Sequence, residues 1–332
     1  MRLPCPTRGE GAHRPSGAGA PHLCSVHPQH APQRITPAVL DYLQFVLVPQ
    51  IVTGLAFGVA VILVAIGLTI IFGLLDVINM SHGEFYAFGA FAALAFGWLG
   101  VPFWVLLVLV PLLMLPLGYF TERVLIQRVF NRKDRHVTTL LLTFGLGLVL
   151  EDAFRLGFGP NPYRPETPIR GAVTLFGIFL PNYRLFLIVV GTLVIAAVAL
   201  VVYRTRLGAM VRAAAFDRNM AASLGVPVAT VYAGAFAFGI ALAGFAGVLL
   251  APIYSVFPTM GRDFILMAFT VVIVGGMGSI AGAVVAGLFL TQVQAIASLY
   301  ISPVWTDPIV FGIMVVMLMV RPRGLFGQLG HG

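Results

Sequence analysis

Five stretches of this chain carry no Asp, Glu, Lys or Arg: 42–75, 85–121, 185–203, 219–261 and 264–306. A helix needs about 20 apolar residues to cross a bilayer, so each stretch holds one span, or two where a break intervenes. Inside hydrocarbon every backbone N–H and C=O needs an internal partner, which makes helices the default. The runs do not alternate apolar with polar residues, as barrel strands would. Only 10% of residues are charged and 59% are apolar. Soluble domains carry about 25% charged residues, so lipid is the solvent that suits this surface.

The fold expected is an all-α polytopic membrane bundle of roughly eight or nine transmembrane segments with a short cytoplasmic helix. The segments fall within 43–75 and near 84–99, 103–124, 137–154, 184–203, 229–252, 263–277, 280–299 and 305–320. The first run is long enough for one span or for two short re-entrant passes. Gly100-Val101-Pro102 separates the second segment from the third, and the Gly275–Ser279 run separates the seventh from the eighth. Small residues recur every fourth position at Gly54-Gly58, Gly239-Ala243-Gly247 and Gly278-Gly282-Ala286. This spacing lets helix backbones approach where lipid gives no hydrophobic drive for association.

The formal net charge is +8, almost all of it arginine, with Lys133 the sole lysine. The basic residues cluster in short loops, so they mark topology rather than nucleic-acid binding, and membrane lipid is the surrounding partner. Arg123, Arg128, Arg132, Lys133 and Arg135 form one cytoplasmic loop, and Arg204, Arg206, Arg212 and Arg218 another, with Arg321 and Arg323 also inside. Alternation then leaves 155–184 outside despite Arg155, Arg164, Arg170 and Arg184, and its five prolines suit an ordered external loop. If the first run is one span, the N-terminus is outside. Residues 1–36 are rich in Pro, Gly, His and Arg without periodicity and read as a disordered tail, with the transmembrane domain over 40–325. Cys5 and Cys24 lie in that tail and form no disulfide framework. His13, His22, His27 and His30 read as solvated side chains, so no metal or cofactor is expected.

Two polar motifs interrupt the apolar pattern. Residues 76–85, Asp-Val-Ile-Asn-Met-Ser-His-Gly-Glu-Phe, form an island between two spans. Ser81 and Glu84 have capping-box spacing, with Ser81 capping the second helix and Glu84 answering its free N–H groups. The competing reading has Asn79, Ser81, His82 and Glu84 lining the permeation path at a helix N-terminus, which favours anionic groups such as a carboxylate. The second motif is the loop 206–227. Residues 208–224 are compatible with one alanine-rich helix, stopped by Gly225 and Pro227. Such a helix suits docking into a partner's groove or lying on lipid headgroups.

The sequence Gly67-Leu68-Thr69-Ile70-Ile71-Phe72-Gly73, with the island at 78–85, resembles the signature of the LivH-type branched-chain amino acid permeases. Residues 238–252 and the Gly-Gly-Met-Gly-Ser-Ile-Ala-Gly run at 275–282 are also similar, and the resemblance covers about 40–325. It implies an importer of the ABC class in the bacterial plasma (inner) membrane. Its partners would be two ATP-binding subunits, a second and different permease chain, and an extracytoplasmic solute-binding protein. By that resemblance Arg212, Ala213, Asp217, Arg218, Ala221 and Gly225 belong to the segment that meets the ATPase. Urea and short-amide permeases share much of the signature.

No P-loop is present, because that loop needs a Gly-Lys step and Lys133 follows Arg132. ATP hydrolysis therefore belongs to another polypeptide. A proton-coupled secondary transporter is the alternative class. It requires ionisable groups deep in the membrane, and the acidic residues, the Glu151-Asp152 pair included, are expected at span ends. The chain has no zinc-protease or serine-hydrolase motif and is not expected to be an enzyme.

Overall fold

The computed structural model describes residues 42–130, 134–175 and 177–327. The expected tail, both cysteines, Arg132 and Lys133 lie outside them. A π-helical turn (Leu43–Leu47) leads into α1 (Val48–Leu75), followed by α2 (His82–Trp98) and α3 (Phe103–Thr121). A second π turn (Glu122–Ile126) joins α3 to α4 (Gln127–Phe130), and α5 (Arg135–Phe158) follows. A hairpin of β1 (Ala172–Leu175) and β2 (Ile178–Pro181) precedes α6 (Asn182–Arg204). Two short helices come next, α7 (Arg206–Phe216) and α8 (Arg218–Ser223). The chain ends in α9 (Val228–Leu250), α10 (Met260–Gly275), α11 (Ile280–Tyr300) and α12 (Pro303–Val320).

Among the described residues, six helices are long and apolar enough to cross a membrane, and α12 holds a shorter apolar helix, while α2 and α10 are 17 and 16 residues long. The first run is one helix, not two passes. A break within it would leave backbone groups without partners in hydrocarbon. The hairpin corrects the all-α expectation. Ala172 pairs with Pro181 and Leu175 with Ile178 in antiparallel register. Val173, Thr174, Ile178 and Phe179 favour strand, and Gly177 turns at φ +83°.

Helices α1 and α9 are apolar on all sides and largely buried, as expected for helices enclosed by others. They form the axis, with α9 against α1, α2 and α3, and α11 against α1. The small residues sit at these crossings. A Cβ on Gly67 would lie 2.6 Å from the Gly239 carbonyl oxygen, and Gly247 faces the backbone of Tyr86. Gly54 and Gly58 face Ala295 and Thr291 of α11. Gly67→Val should therefore lower stability by about 1–3 kcal/mol through overpacking. Gly145→Ala, where the added carbon meets nothing within 4 Å, should leave it unchanged. Thermal unfolding of the purified proteins in detergent checks the contrast.

The connections gather at two poles. At the first, Gly73 lies against Gly278, and Asp76 pairs with Arg135 at 3.3 Å. There the Leu325 and Phe326 N–H groups donate to Val274 and Gly275 carbonyls at 2.9 and 3.0 Å. At the second, Tyr163 bridges to Val256, and the Tyr183 hydroxyl donates to the Leu249 carbonyl at 2.7 Å. The four arginines of 155–184 are all engaged at this second pole. Arg155 pairs with Glu151 at 3.0 Å and Asp152 at 3.5 Å, and Arg170 with Glu166 at 2.5 Å. Arg164 donates to the Ile253 carbonyl at 3.3 Å and Arg184 to the Thr53 hydroxyl.

Candidate functional site

The island at 76–81 does not stay at the end of α1. Asp76 caps α1 in the left-handed region, at φ 49° and ψ 43°. The chain then folds back into the bundle, so that Val77, Asn79, Ser81, His82 and Glu84 are all buried. His82 Nε2 lies 3.2 Å from the Val64 carbonyl. A carbonyl oxygen only accepts, so Nε2 carries the proton. Val64 stands about 16 Å along α1 from its Leu75 end at 1.5 Å per residue. The start of α2 is therefore well inside an apolar layer about 30 Å thick, rather than at its boundary.

This depth corrects the capping-box reading. Ser81 makes no side-chain cap. Its hydroxyl and its N–H donate instead to Asn79 Oδ1, at 2.7 and 3.2 Å. Thr143 on α5 pins the turn, accepting from the Met80 N–H at 3.1 Å and donating to the Ile78 carbonyl at 3.4 Å. The Glu84 carboxylate points away from its own helix start, between two glycines. A Cβ on Gly147 would lie 3.6 Å from Glu84 Cγ, and one on Gly261 would lie 2.5 Å from Oε2. Local spacing suggested a cap, but Asn79 takes the Ser81 hydroxyl and the glycines of α5 and α10 bracket the Glu84 side chain.

Helix α10 starts at the same place. Gly83 abuts the Gly261 backbone, and Tyr86 stacks on Phe264 at 4.1 Å. Two helix N-termini thus adjoin inside the apolar layer, and their partial positive charge favours an anionic group. Asn79 Nδ2, His82 Nδ1 and Glu84 Oε2 are buried with no hydrogen-bond partner among the described residues. A buried polar atom costs free energy unless it is paired, so these three mark a polar locus.

Glu151, toward the second pole, is buried. It joins Arg155 of α5 to Arg262 of α10, at 3.0 and 3.6 Å. Arg262 and Gly261 were missed in the sequence, because nothing local distinguishes them.

The loop between α6 and α9 also departs from expectation, since one helix becomes two. Asp217 adopts extended backbone, φ −149° and ψ 110°, and ends α7. Its Oδ1 caps α8, accepting from Asn219 and Met220 N–H groups at 2.8 and 2.9 Å. Asp preference for the cap over the helix interior explains the break. The other expected contact residues also hold shape. Arg212 donates back to the Val202 carbonyl, and Arg218 lies 5.8 Å from the Tyr232 ring. Ala221 is buried, Ala213 is exposed, and Gly225 turns the chain at φ +84°. Among the charged and polar residues that the two helices expose, three large apolar side chains also face outward. Phe216 is 79% exposed, Met220 59% and Leu224 78%, four residues apart in sequence.

Comparison with known proteins is consistent with this architecture. Residues 50–319 match the family model described as the permease component of the branched-chain amino acid transport system. The chain is 30% identical over 311 residues to the high-affinity branched-chain amino acid transport system permease protein BraD of Pseudomonas aeruginosa, covering 88% of this chain and 98% of that protein. It is 30% identical over 296 residues to the corresponding permease LivH of Escherichia coli K12, covering 84% and 95%. It is 26% identical over 290 residues to LivM of the same organism, covering 80% and 67%. No solved structure matches.

Proposed function

The chain belongs to the branched-chain amino acid transport permease family, and from that premise we propose that it forms the membrane path of an ATP-driven importer for branched-chain amino acids. The observation that carries the reading is the pair of helix starts meeting inside the apolar layer. Discontinuous helices of this kind hold substrates at the bilayer midplane in transporters, and an amino-acid carboxylate suits two N-termini. Asn79, Ser81, His82 and Glu84 then line or shape that path.

All nine apolar helices, α1, α2, α3, α5, α6, α9, α10, α11 and α12, cross the membrane in this reading. The first pole is cytoplasmic and the C-terminus lies inside. The excess of arginine near that pole supports this, and the outer arginines are each bound to a carboxylate, carbonyl or hydroxyl. Helices α7 and α8 form the coupling element that meets an ATP-binding subunit, with two such subunits per importer. Two permeases of one E. coli transport system, LivH and LivM, both resemble this chain, which favours pairing with a second, different permease. An extracytoplasmic binding protein delivers the solute.

The buried carboxylates Glu84 and Glu151 favour a second reading, proton coupling, because ionisable groups inside a membrane often relay protons. Proteoliposomes containing the whole assembly separate the two. ATP-dependent leucine uptake that survives collapse of the proton gradient is the expected result. Uptake driven by the gradient without ATP would overturn the importer reading, and uptake of urea but not leucine would overturn the substrate.

A further inference from the structure

Beside the paired helix starts lies a cavity of about 280 Å³ bounded by α1, α2, α10, α11, α12 and the turn before α10. Six aromatic rings line its walls. Phe57 lies 5.3 Å from Tyr254 and 5.9 Å from Phe264, and Tyr86 stacks on Phe264. Asp263, Asp307 and Gln294 also line it. Gln294 Nε2 donates to Asp307 Oδ1 at 2.8 Å, while Gln294 Oε1 is buried with no hydrogen-bond partner among the described residues.

Helix rise fixes the depth of these polar groups. At 1.5 Å per residue, Asp263 is about 18 Å from the Gly275 end of α10, Gln294 about 21 Å from the Ile280 end of α11, and Asp307 about 20 Å from the Val320 end of α12. All three helix ends belong to the pole where Leu325 bonds to Val274. Asp263 lies in the first turn of α10 and Asp307 just past the first turn of α12, so both carboxylates stand toward the second pole, beyond the middle of the layer. They are nonetheless exposed on this chain, and no cation pairs with either among the described residues. Carboxylates at that depth do not face lipid but a water-filled path or a partner.

We propose that this cavity recognises the ammonium group of the transported solute, an inference that rests on the importer reading. Aromatic faces attract a cation within about 6 Å of the ring centroid, and two carboxylates supply the opposite charge. Two carboxylates and an amide fall short of the six to eight oxygens of a calcium site. A free carboxylate is repelled here, and a neutral amide gains no Coulomb attraction. The solute's two ends then have separate hosts: its ammonium in the aromatic cavity, its carboxylate at the starts of α2 and α10.

The test uses the full assembly in proteoliposomes, with Cys5 and Cys24 replaced and Leu266→Cys introduced on the cavity wall. A trimethylammonium methanethiosulfonate is expected to label this cysteine at least about tenfold faster than the sulfonate reagent of similar size, because the local field concentrates cations. The preference should vanish in the Asp263→Asn/Asp307→Asn double variant and return with the Glu pair. Leucinamide, which keeps the ammonium, should protect against labelling. The hydroxy acid with leucine's side chain should not. Equal rates for the two reagents, no labelling by either, or protection by the hydroxy acid alone would overturn the assignment. Leucine uptake in the same vesicles keeps the two ideas apart: no ATP-driven uptake by the unmodified assembly sinks the importer reading, whereas uptake without charge preference sinks only the cavity.

Discussion

Exchange of Phe216 for aspartate is expected to strip the ATP-binding subunits from the assembly and cut ATP-driven uptake by about thirtyfold. The basis is the apolar edge of Phe216, Met220 and Leu224, exposed on helices too short and too charged to span. Losing one buried aromatic anchor at an interface typically costs about 2 kcal/mol or more, which is the stated fold-change at 1.4 kcal/mol per decade. Phe216→Lys discriminates between the two occupants this edge could have. In a protein groove the lysine is as damaging as the aspartate. Against anionic headgroups a cation is favourable by about 1 kcal/mol, so the lysine would be tolerated. Co-purification of the ATP-binding subunits, read beside uptake, decides the matter. Retention of both in Phe216→Asp would remove this edge as the docking surface.

That edge also illustrates where the sequence could be read and where it could not. In a soluble protein Phe216, Met220 and Leu224 would stand out, but here they follow long apolar runs and look like more of the same. The charged and small residues drew attention instead, and most prove to hold the loop's shape: Asp217 caps α8, Arg212 ties back to Val202, and Gly225 turns the chain. Among the described residues, helices fall within a few residues of the expected segments, six of them long and apolar enough to cross a membrane, because run length and Gly/Pro breaks are local properties that lipid enforces. The small-residue repeats likewise fall at helix crossings. The polar island was visible too, but its role was not. Ser81 and Glu84 satisfy a local capping rule, and only the fold reveals that Ser81 bonds Asn79 instead and that Glu84 lies between Gly147 of α5 and Gly261 of α10.

Glu151 exemplifies the same limit and carries the second large effect. Its carboxylate is buried between Arg155 and Arg262 and ties α5, which packs on α2, to α10. Glu151→Ala should destabilise the protein by about 1.5–3 kcal/mol, because it removes charge-assisted hydrogen bonding, while the two half-exposed guanidiniums it leaves behind stay in water. The companion change Arg262→Ala alone should cost less, since Glu151 keeps Arg155. Combining the two should cost less than the sum of the two losses, because their shared bond is lost only once, and the double-mutant cycle measures that coupling directly. Thermal unfolding in lipid nanodiscs reads all three variants. Additive losses would mean that Arg262 and Glu151 do not interact, and that α5 is held to the bundle by its packing on α2, the Thr143 hydrogen bonds and the Arg135–Asp76 pair. A coupling of about 1 kcal/mol or more would instead identify a charged strut beside the paired helix starts, one that fixes how closely Gly261 can approach Glu84 and so sets the width of the path between them.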